Sequence, residues 1–378
     1  MRILLVEGTG NGFLSHYAHA LALGLSDAGA QVRLLSSQKA ELADQPLPLE
    51  VAYRLPTGRF AWRQLRREVI LYQPEIVHLQ WVGHPLAALR FVLFCQRRKV
   101  RVVYTPHNLL PHRNRWLSQP LYRWLYHRVD KVIARDAHIA WGLQELLDMT
   151  SERCALVPGS PNLISNPQLP RRLPLAVAAL PAASLRLLQF GYGGLKKGTS
   201  AFIESLLAQP CLDGVQLVLA GERALAGVDP QLLEKLRASI PVVVIDRYIN
   251  TSEAAAIFDH ADLLLMPYQM QCHSPVLDLA RALDRPVLRS HLATHPDFVD
   301  GLHGWSYPAD QQGALTAELA RLIANPGHVK VLHRGQGAQE ESRLLARLVR
   351  QHLGIYTELV RAPVGAVRPE VASVAGGL

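Results

Sequence analysis

The sequence predicts an α/β protein of two doubly wound, Rossmann-like halves that face each other across a cleft. Three observations carry this. The chain has 378 residues, too many for one ordinary core and enough for two. Short apolar runs alternate with helical periodicity along most of it, the pattern of parallel sheets with helices on both faces. The alternation breaks once, over 161–184, where five prolines occur without a clear period, and then starts again.

Taken in order, strands are expected over 2–7, 31–37, 76–80, 101–105, 131–134 and 155–157, with helical patterns between them such as 15–28 and 62–72. After the proline-rich stretch they recur over 185–190, 215–220, 242–246, 262–266 and 286–288. A long helix over 336–360 follows, and residues 362–378, rich in Ala, Gly, Val and Pro, are expected to be disordered. The predicted domains are therefore 1–160, a linker over 161–184, 185–335, a terminal helix over 336–361 that crosses back to the first domain, and a tail.

Composition narrows the partners. Apolar runs stay below the ~18–20 residues of a spanning helix; the longest, 85–95, contains Arg90 and is stopped by Arg97, Arg98 and Lys99. The N-terminus reads as a first strand, because a glycine-rich turn stands where a signal peptide would have its cleavage region. Cys95, Cys154, Cys211 and Cys272 show no paired spacing, which speaks against zinc and against a disulfide framework and fits a reducing, cytoplasmic setting. The net charge of +9 suits nucleic acid, an anionic membrane surface or phosphorylated substrates. Nucleic acid is disfavoured, since no nucleic-acid-binding motif accompanies the charge. The aromatic and basic stretch from Trp116 to Arg128 reads either as a helix lying in a membrane interface or as an ordinary amphipathic helix.

Four segments point to chemistry. Phe190-Gly191-Tyr192-Gly193-Gly194-Leu195-Lys196-Lys197-Gly198 leaves a strand and precedes a helical pattern. Glycines let the backbone approach a ligand, the helix start offers N–H groups, and Lys197 adds a charge, a combination suited to phosphate. Gly8-Thr9-Gly10-Asn11-Gly12-Phe13 is close to a dinucleotide fingerprint but has Phe13 where the third glycine belongs, so NAD and FAD are not expected. His107 and Asn108, past the strand over 101–105, are placed to bind hydroxyl groups, and a neutral imidazole also accepts a proton. Ser274 and Pro275 read as the cap and first residue of a helix, a second anion site.

With these segments on the page, the chain resembles the GT-B glycosyltransferases, especially bacterial polysaccharide enzymes similar to family 4, over roughly residues 1–360. Gly10-Asn11-Gly12 matches an acceptor-side loop, Thr105 to His112 the "T-x-H-N" segment, and Phe190 to Gly198 the donor loop. Asp262 to Tyr268, Ser274 to Leu277 and Leu283 to Val287 match the run that closes the donor site. The resemblance implies transfer of a sugar from a UDP- or GDP-linked donor to a hydroxyl, without a further cofactor or a metal. As acceptor, a lipid-linked glycan at the inner membrane face, in the synthesis of exopolysaccharide or surface polysaccharide, fits the charge and the Trp116 to Arg128 stretch. Gly191, Gly193, Gly194, Lys197, Tyr268, His273, Ser274, Pro275, Val276 and Asp278 would hold the donor. Gly10, Asn11, Gly12 and Gln80 would lie on the acceptor side. Lys197 and the N–H groups of Ser274 to Val276 would stabilise the departing diphosphate, while His107 and Asn108 orient a sugar. Asp136 is the candidate general base, with helix capping as its other reading. The chain departs from the family in the two donor-site glutamates, whose places are taken by Gln271 and Leu279, with Asp278 one residue away. A non-catalytic nucleotide-sugar-binding subunit and a nucleotide-sugar epimerase are the alternatives.

Overall fold

A computed structural model describes residues 1–43, 48–55, 61–110, 115–295, 298–332 and 337–362, and leaves the side chains of 53, 54, 115–118 and 273 undescribed. Its contacts divide the chain into two compact units, one of Met1–Pro161 with the chain from Leu344 onward, the other of Asn162–Arg343. All but the first residue of the expected tail over 362–378 and the end of the "T-x-H-N" segment, Pro111 and His112, lie outside the described residues.

The first unit holds β1 (Arg2–Glu7), α1 (Gly12–Asp27), β2 (Gln31–Ser37), β3 (Glu50–Leu55), α2 (Trp62–Tyr72), β4 (Ile76–Gln80), α3 (Pro85–Arg97), β5 (Arg101–Thr105), α4 (Arg115–Arg128), β6 (Lys131–Ala134), α5 (Ala137–Glu145) and β7 (Cys154–Leu156). The seven strands run parallel in the order β3-β2-β1-β4-β5-β6-β7. β4 and β5 are buried throughout, which is why they read as near-continuous apolar runs. The order reverses between β1 and β4, and ligands of such sheets gather outside the carboxyl ends of the strands at this switch point.

The second unit begins with α6 (Leu175–Ala178) and β8 (Leu185–Phe190), followed by α7 (Thr199–Leu207), β9 (Val215–Ala220), α8 (Pro230–Ser239), β10 (Val242–Ile245), α9 (Thr251–His260) and β11 (Leu263–Met266). After these come β12 (Cys272–His273), α10 (Pro275–Ala282), β13 (Val287–Ser290), β14 (Ala293–Thr294), β15 (Gly304–Tyr307), α11 (Ala314–Ala324), α12 (Pro326–Val331) and α13 (Gly337–Arg361), whose residues from Leu344 onward belong to the first unit. Its six-stranded sheet has the order β10-β9-β8-β11-β13-β15 and is parallel throughout, with its switch point between β8 and β11. β12 and β14 form a separate two-residue pair.

Residues 161–184, read as a linker, belong to the second unit from Asn162 onward. Ile164, Leu169 and Val177 are buried there. α13 carries Leu344, Leu348, Val349, Tyr356 and Leu359 into the core beneath β1, at helical spacing. Gly24 on α1 makes room for it, since a Cβ there would stand 2.5 Å from Val349 Cγ2. The second unit's β11 starts one residue later than the sequence suggests. The Asp262 carboxylate instead accepts from the Arg186 backbone N–H at 2.8 Å and guanidinium at 2.7 Å, tying β11 to β8.

α4 shows how its aromatic residues divide. Tyr122, Leu125 and Tyr126 are fully buried, whereas Trp124 is 45% exposed and Arg123 pairs with Asp148. Of the three aromatic side chains described in this stretch, two therefore belong to the core. Among the described residues no helix is long and apolar enough to cross a membrane.

Candidate functional site

In the first unit, the loop after β1 is occupied by the protein itself. The buried Glu7 carboxylate accepts from Thr9 N at 2.5 Å, Gly10 N at 3.1 Å and Ser36 Oγ at 3.2 Å. Glu41 Oε1 takes the N–H of Gly12 at 2.7 Å. Burial raises the Glu7 pKa, against the pull of these donors. Gly10 has φ 78°, and a Cβ on it would meet Ser37 Cβ at 2.5 Å, so the position requires glycine. Asn11 stands at the N-cap of α1 with no side-chain cap bond. The glycine loop thus spends its donors on Glu7 and Glu41, which accounts physically for the failed dinucleotide fingerprint. Glu7 was legible as an acidic residue ending a strand before a glycine loop, and the sequence reading passed over it.

Phe13, the residue that breaks that fingerprint, helps to build the next feature. His107, just past β5, packs edge-on against Phe13 at 5.8 Å and Tyr17 at 5.3 Å between ring centroids. The Arg135 guanidinium lies 4.5 Å from the Phe13 ring. His107 Nε2 is 3.1 Å from Gln80 Oε1, and its Nδ1 is buried without a partner among the described residues. Burial first, then Arg135 and His78, push the His107 pKa well below the ordinary value, so the ring is neutral. Asn108 beside it is exposed.

Two expectations change here. Gln80 is 1% exposed and reaches His107 and His78, so it stands behind the site and not on an acceptor-facing surface. Asp136 is the N-cap of α5, its Oδ1 accepting from Ile139 N at 2.7 Å, which is the capping role the sequence allowed.

In the second unit the phosphate-type loop follows β8 and the Tyr268 turn follows β11, so both lie at the switch point. A short 3-10 turn, Leu195–Lys197, leads through Gly198 into α7. The two loops are stitched together by Gln269 N donating to Lys196 O at 2.9 Å. Lys197 Nζ donates to Tyr268 Oη, and that hydroxyl lies 2.9 Å from Ser274 Oγ at the start of α10. Burial lowers the Lys197 pKa and raises that of Tyr268. The backbone is close-fitting. A Cβ on Gly193 would stand 1.9 Å from Arg223 O, one on Gly198 1.9 Å from Pro267 O, and one on Gly191 3.3 Å from Val276 Cγ2, whereas Gly194 has open space.

Pro275 opens α10 and Ser274 holds its N-cap position, but the Ser274 hydroxyl is turned to Tyr268 and makes no cap bond. α7 likewise begins without a side-chain cap, while α8 and α9 are capped by Asp229 and Asn250. The starts of α7 and α10 are therefore two helix ends, at neighbouring loops, whose first N–H groups no side-chain cap serves. Beside them a recess of about 300 Å³ is lined by Gly191, Tyr192, Gly193, Lys197, Thr199 and Tyr268, among others, and among the described residues no carboxylate lines it.

Asp278 is not part of that recess. It is 4% exposed, 2.9 Å from His295 Nε2 and 3.5 Å from the Arg281 guanidinium. Its expected place in the donor set is thereby redirected to holding α10 against the segment around His295. Gln271 is exposed and Leu279 packs on the core, so neither replaces a carboxylate. The side chain of His273 lies outside the described residues. A larger recess, about 590 Å³, runs along α10 and the start of β13. Its arginines already face carboxylates, Arg281 those of Asp278 and Glu341, and Arg285 that of Asp259. Among the described residues no cluster of His, Cys, Asp and Glu could hold a metal ion.

Residues 14–160 match the family model described as Glycosyltransferase Family 4. No curated protein matches the chain by sequence. Solved structures share its path over nearly its whole length. A glycosyltransferase from Rickettsia africae ESF-5 superposes with a TM-score of 0.65 at 13% identity, covering 96% of this chain and 99% of that one. HepE of Anabaena, in complex with UDP, gives 0.63 at 12% identity over 95% and 100%. The UDP-GlcNAc 2-epimerase of Neisseria meningitidis, bound to UDP-GlcNAc, gives 0.58 at 12% identity over 95% and 100%. At such identities the likeness speaks for the fold, which is GT-B: two parallel, helix-flanked sheets of the kind these neighbours share.

Proposed function

We propose that this GT-B chain is a glycosyltransferase that takes a UDP- or GDP-linked sugar and transfers it to a hydroxyl of a glycan acceptor. The observation that carries the reading is the Lys197–Tyr268–Ser274 cluster, set between the starts of α7 and α10 at the second switch point. A diphosphate seated there would meet one ammonium and two helix ends, each favouring negative charge. In the reaction the bond from the sugar carbon to the diphosphate oxygen breaks, and its electron pair leaves with the diphosphate. A bond from the acceptor oxygen to that carbon forms, and the acceptor hydroxyl gives up its proton to the departing diphosphate or to water. Lys197 and the N–H groups at the two helix ends stabilise the charge that grows on the leaving group. This charge stabilisation is assigned without a metal, and an undiminished rate in chelator is the expected result. No step is assigned to Asp136, whose carboxylate caps α5.

A lipid-linked acceptor in polysaccharide synthesis and contact with an anionic membrane surface extend this reading. They draw on the +9 charge and on the exposed Trp124 and Arg123 of α4. Replacing Trp116, Arg123 and Trp124 by Ala should weaken binding to anionic vesicles, and unchanged binding would remove this extension.

That no described carboxylate lines the recess favours a second reading, a subunit that binds nucleotide-sugar without turning it over. The test is a thermal-shift screen of UDP, GDP and their sugar conjugates, followed by a transfer assay with the nucleotides that bind. Binding stabilises the native state by mass action. A shift with one nucleotide family together with sugar transfer supports the transferase. A shift without transfer supports the binding subunit, and no shift with any nucleotide refutes both.

A further inference from the structure

Behind His107 lies a chain of buried polar side chains. Gln80 Oε1 is 3.1 Å from His107 Nε2, and Gln80 Nε2 is 3.2 Å from His78 Nε2. His78 Nε2 also lies 2.7 Å from Thr105 Oγ1, and its Nδ1 lies 2.6 Å from Tyr356 Oη on α13. His78 and Tyr356 are fully buried and Gln80 nearly so.

A primary amide accepts at one end and donates at the other, so this chain has a direction. With its carbonyl on His107, Gln80 requires the His107 proton to sit on Nε2. Its NH₂ then faces the unprotonated His78 Nε2 at 3.2 Å and shares that atom's single lone pair with the closer Thr105 hydroxyl. The His78 proton is on Nδ1 and is given to Tyr356 Oη. Turning the amide over would move the His107 proton to Nδ1, and that atom is buried without an acceptor among the described residues. An orphaned buried N–H is rarer in proteins than an under-satisfied acceptor, which favours the first arrangement. What remains is a lone pair on His107 Nδ1, covered from water although the residue as a whole is partly exposed. A hydroxyl that displaces the covering groups gains an acceptor for which water does not compete.

Building on the transferase reading above, we propose that Gln80 is a positioning residue. It fixes His107 as the Nε2–H tautomer, with the ring oriented so that Nδ1 accepts a hydrogen bond from a hydroxyl of the sugar substrate. Neither the sequence motifs nor the shape of the recess in the second unit assigns Gln80 such a role. The signal in the sequence was the alternation Ile76-Val77-His78-Leu79-Gln80, two polar residues on one face of a strand that is otherwise apolar.

The test is nitrogen NMR of ¹⁵N-histidine-labelled full-length protein, with the His107 signals assigned by loss in His107→Phe. The proposal expects one neutral tautomer with the proton on Nε2 in the wild type. A proton on Nδ1 overturns it, and this measurement needs no Gln80 variant to fold. Gln80→Met, close in length and unable to hydrogen-bond, is expected to abolish the single-tautomer signature. It should lower kcat about tenfold, the effect of one lost hydrogen bond, with KM for the nucleotide-sugar little changed. A Gln80→Met protein that loses the tautomer and keeps its kcat also overturns the proposal. Absence of any transfer by the wild type is a different failure, that of the transferase reading.

Discussion

Lys197→Ala tests the site most directly, because the structure separates its charge from its packing. In the free protein the ammonium donates to Tyr268 Oη and lies 3.9 Å from the centre of that ring. Burial has already lowered its pKa, so much of the cost of dehydrating the ammonium is met before any ligand arrives. A diphosphate oxygen then replaces a neutral hydroxyl as its partner. A hydrogen bond to a charged group contributes about 1.5–3 kcal/mol net, which corresponds to roughly a ten- to hundredfold change in Kd. Calorimetric titration with UDP, GDP and the matching monophosphates, at fixed low salt, reads this directly. Diphosphate affinity should fall by that factor, and monophosphate affinity by less, because a monophosphate lacks one of the two phosphate groups whose charge Lys197 is proposed to stabilise. The pH dependence has a definite sign. The anion favours the charged lysine, so wild-type affinity declines as pH rises through the lowered Lys197 pKa, and the decline disappears in the variant. If folded Lys197→Ala binds diphosphates within twofold of the wild type, the phosphate assignment is wrong.

Gly193→Ala should destabilise the second unit by about 1–3 kcal/mol in urea and weaken nucleotide binding, since the new methyl would stand 1.9 Å from the Arg223 carbonyl. Gly194→Ala, in extended backbone with open space around it, should be nearly silent in the same experiments. Leu348→Ala removes a fully buried side chain from beneath β1 and should cost about 2–5 kcal/mol, read as faster amide exchange in β1 and β2. Glu341 is buried, with Oε2 accepting from Asn162 N at 3.1 Å and Arg281, Asp278 and Glu340 nearby. Burial is the main reason its pKa rises to about 7. A raised carboxyl pKa gives stability that is complete below the ordinary 4.5 and lost as pH climbs through about 7. Glu341→Gln should therefore be more stable than the wild type at pH 8, on the order of 2–3 kcal/mol, and the difference should vanish near pH 4 in pH-dependent denaturation.

The sheet strands were legible wherever burial on both faces forced an apolar run, as in Ile3 to Val6, Val102 to Tyr104 and Leu263 to Met266. β3 was not, because Glu50–Leu55 is an edge strand that mixes charge with apolar residues. β15 was not, because Gly304-Trp305-Ser306-Tyr307 is only partly buried at its centre and forms no apolar run. The glycine-rich loop with Lys197 was legible because its residue types are dictated by backbone fit: Gly193 and Gly198 have no room for a side chain. What stayed hidden is the partner of each polar group. Nothing local distinguishes Ser274 as a helix cap from Ser274 as a ligand of the Tyr268 hydroxyl, or Asp278 facing a ligand from Asp278 facing His295. Those choices are settled by residues 6 and 17 positions away. The Gln80 chain is an extreme case, since His78 meets Tyr356 across 278 residues of sequence.

The two glycine loops occupy equivalent places, after the first strand of each sheet and beside its switch point, yet only one of them suits an anion. The last residue of β1 is Glu7, and its buried carboxylate already holds the N–H groups of Thr9 and Gly10. The last residue of β8 is Phe190, which brings no charge, and the loop that follows carries Lys197. A phosphate brought to the first loop would displace a hydrogen-bonded carboxylate and remain beside its charge. Brought to the second, it would meet an ammonium and an uncapped helix start. On the proposed reading, a single strand-end position, Glu7 in one sheet and Phe190 in the other, would divide the labour between two otherwise similar halves. On this argument Glu7→Gln would still not create a phosphate site after β1, because the amide retains an acceptor for the same N–H groups. Glu7→Ala would release those donors, and whether sulfate or phosphate then protects the first unit against unfolding measures how far the carboxylate alone keeps anions out.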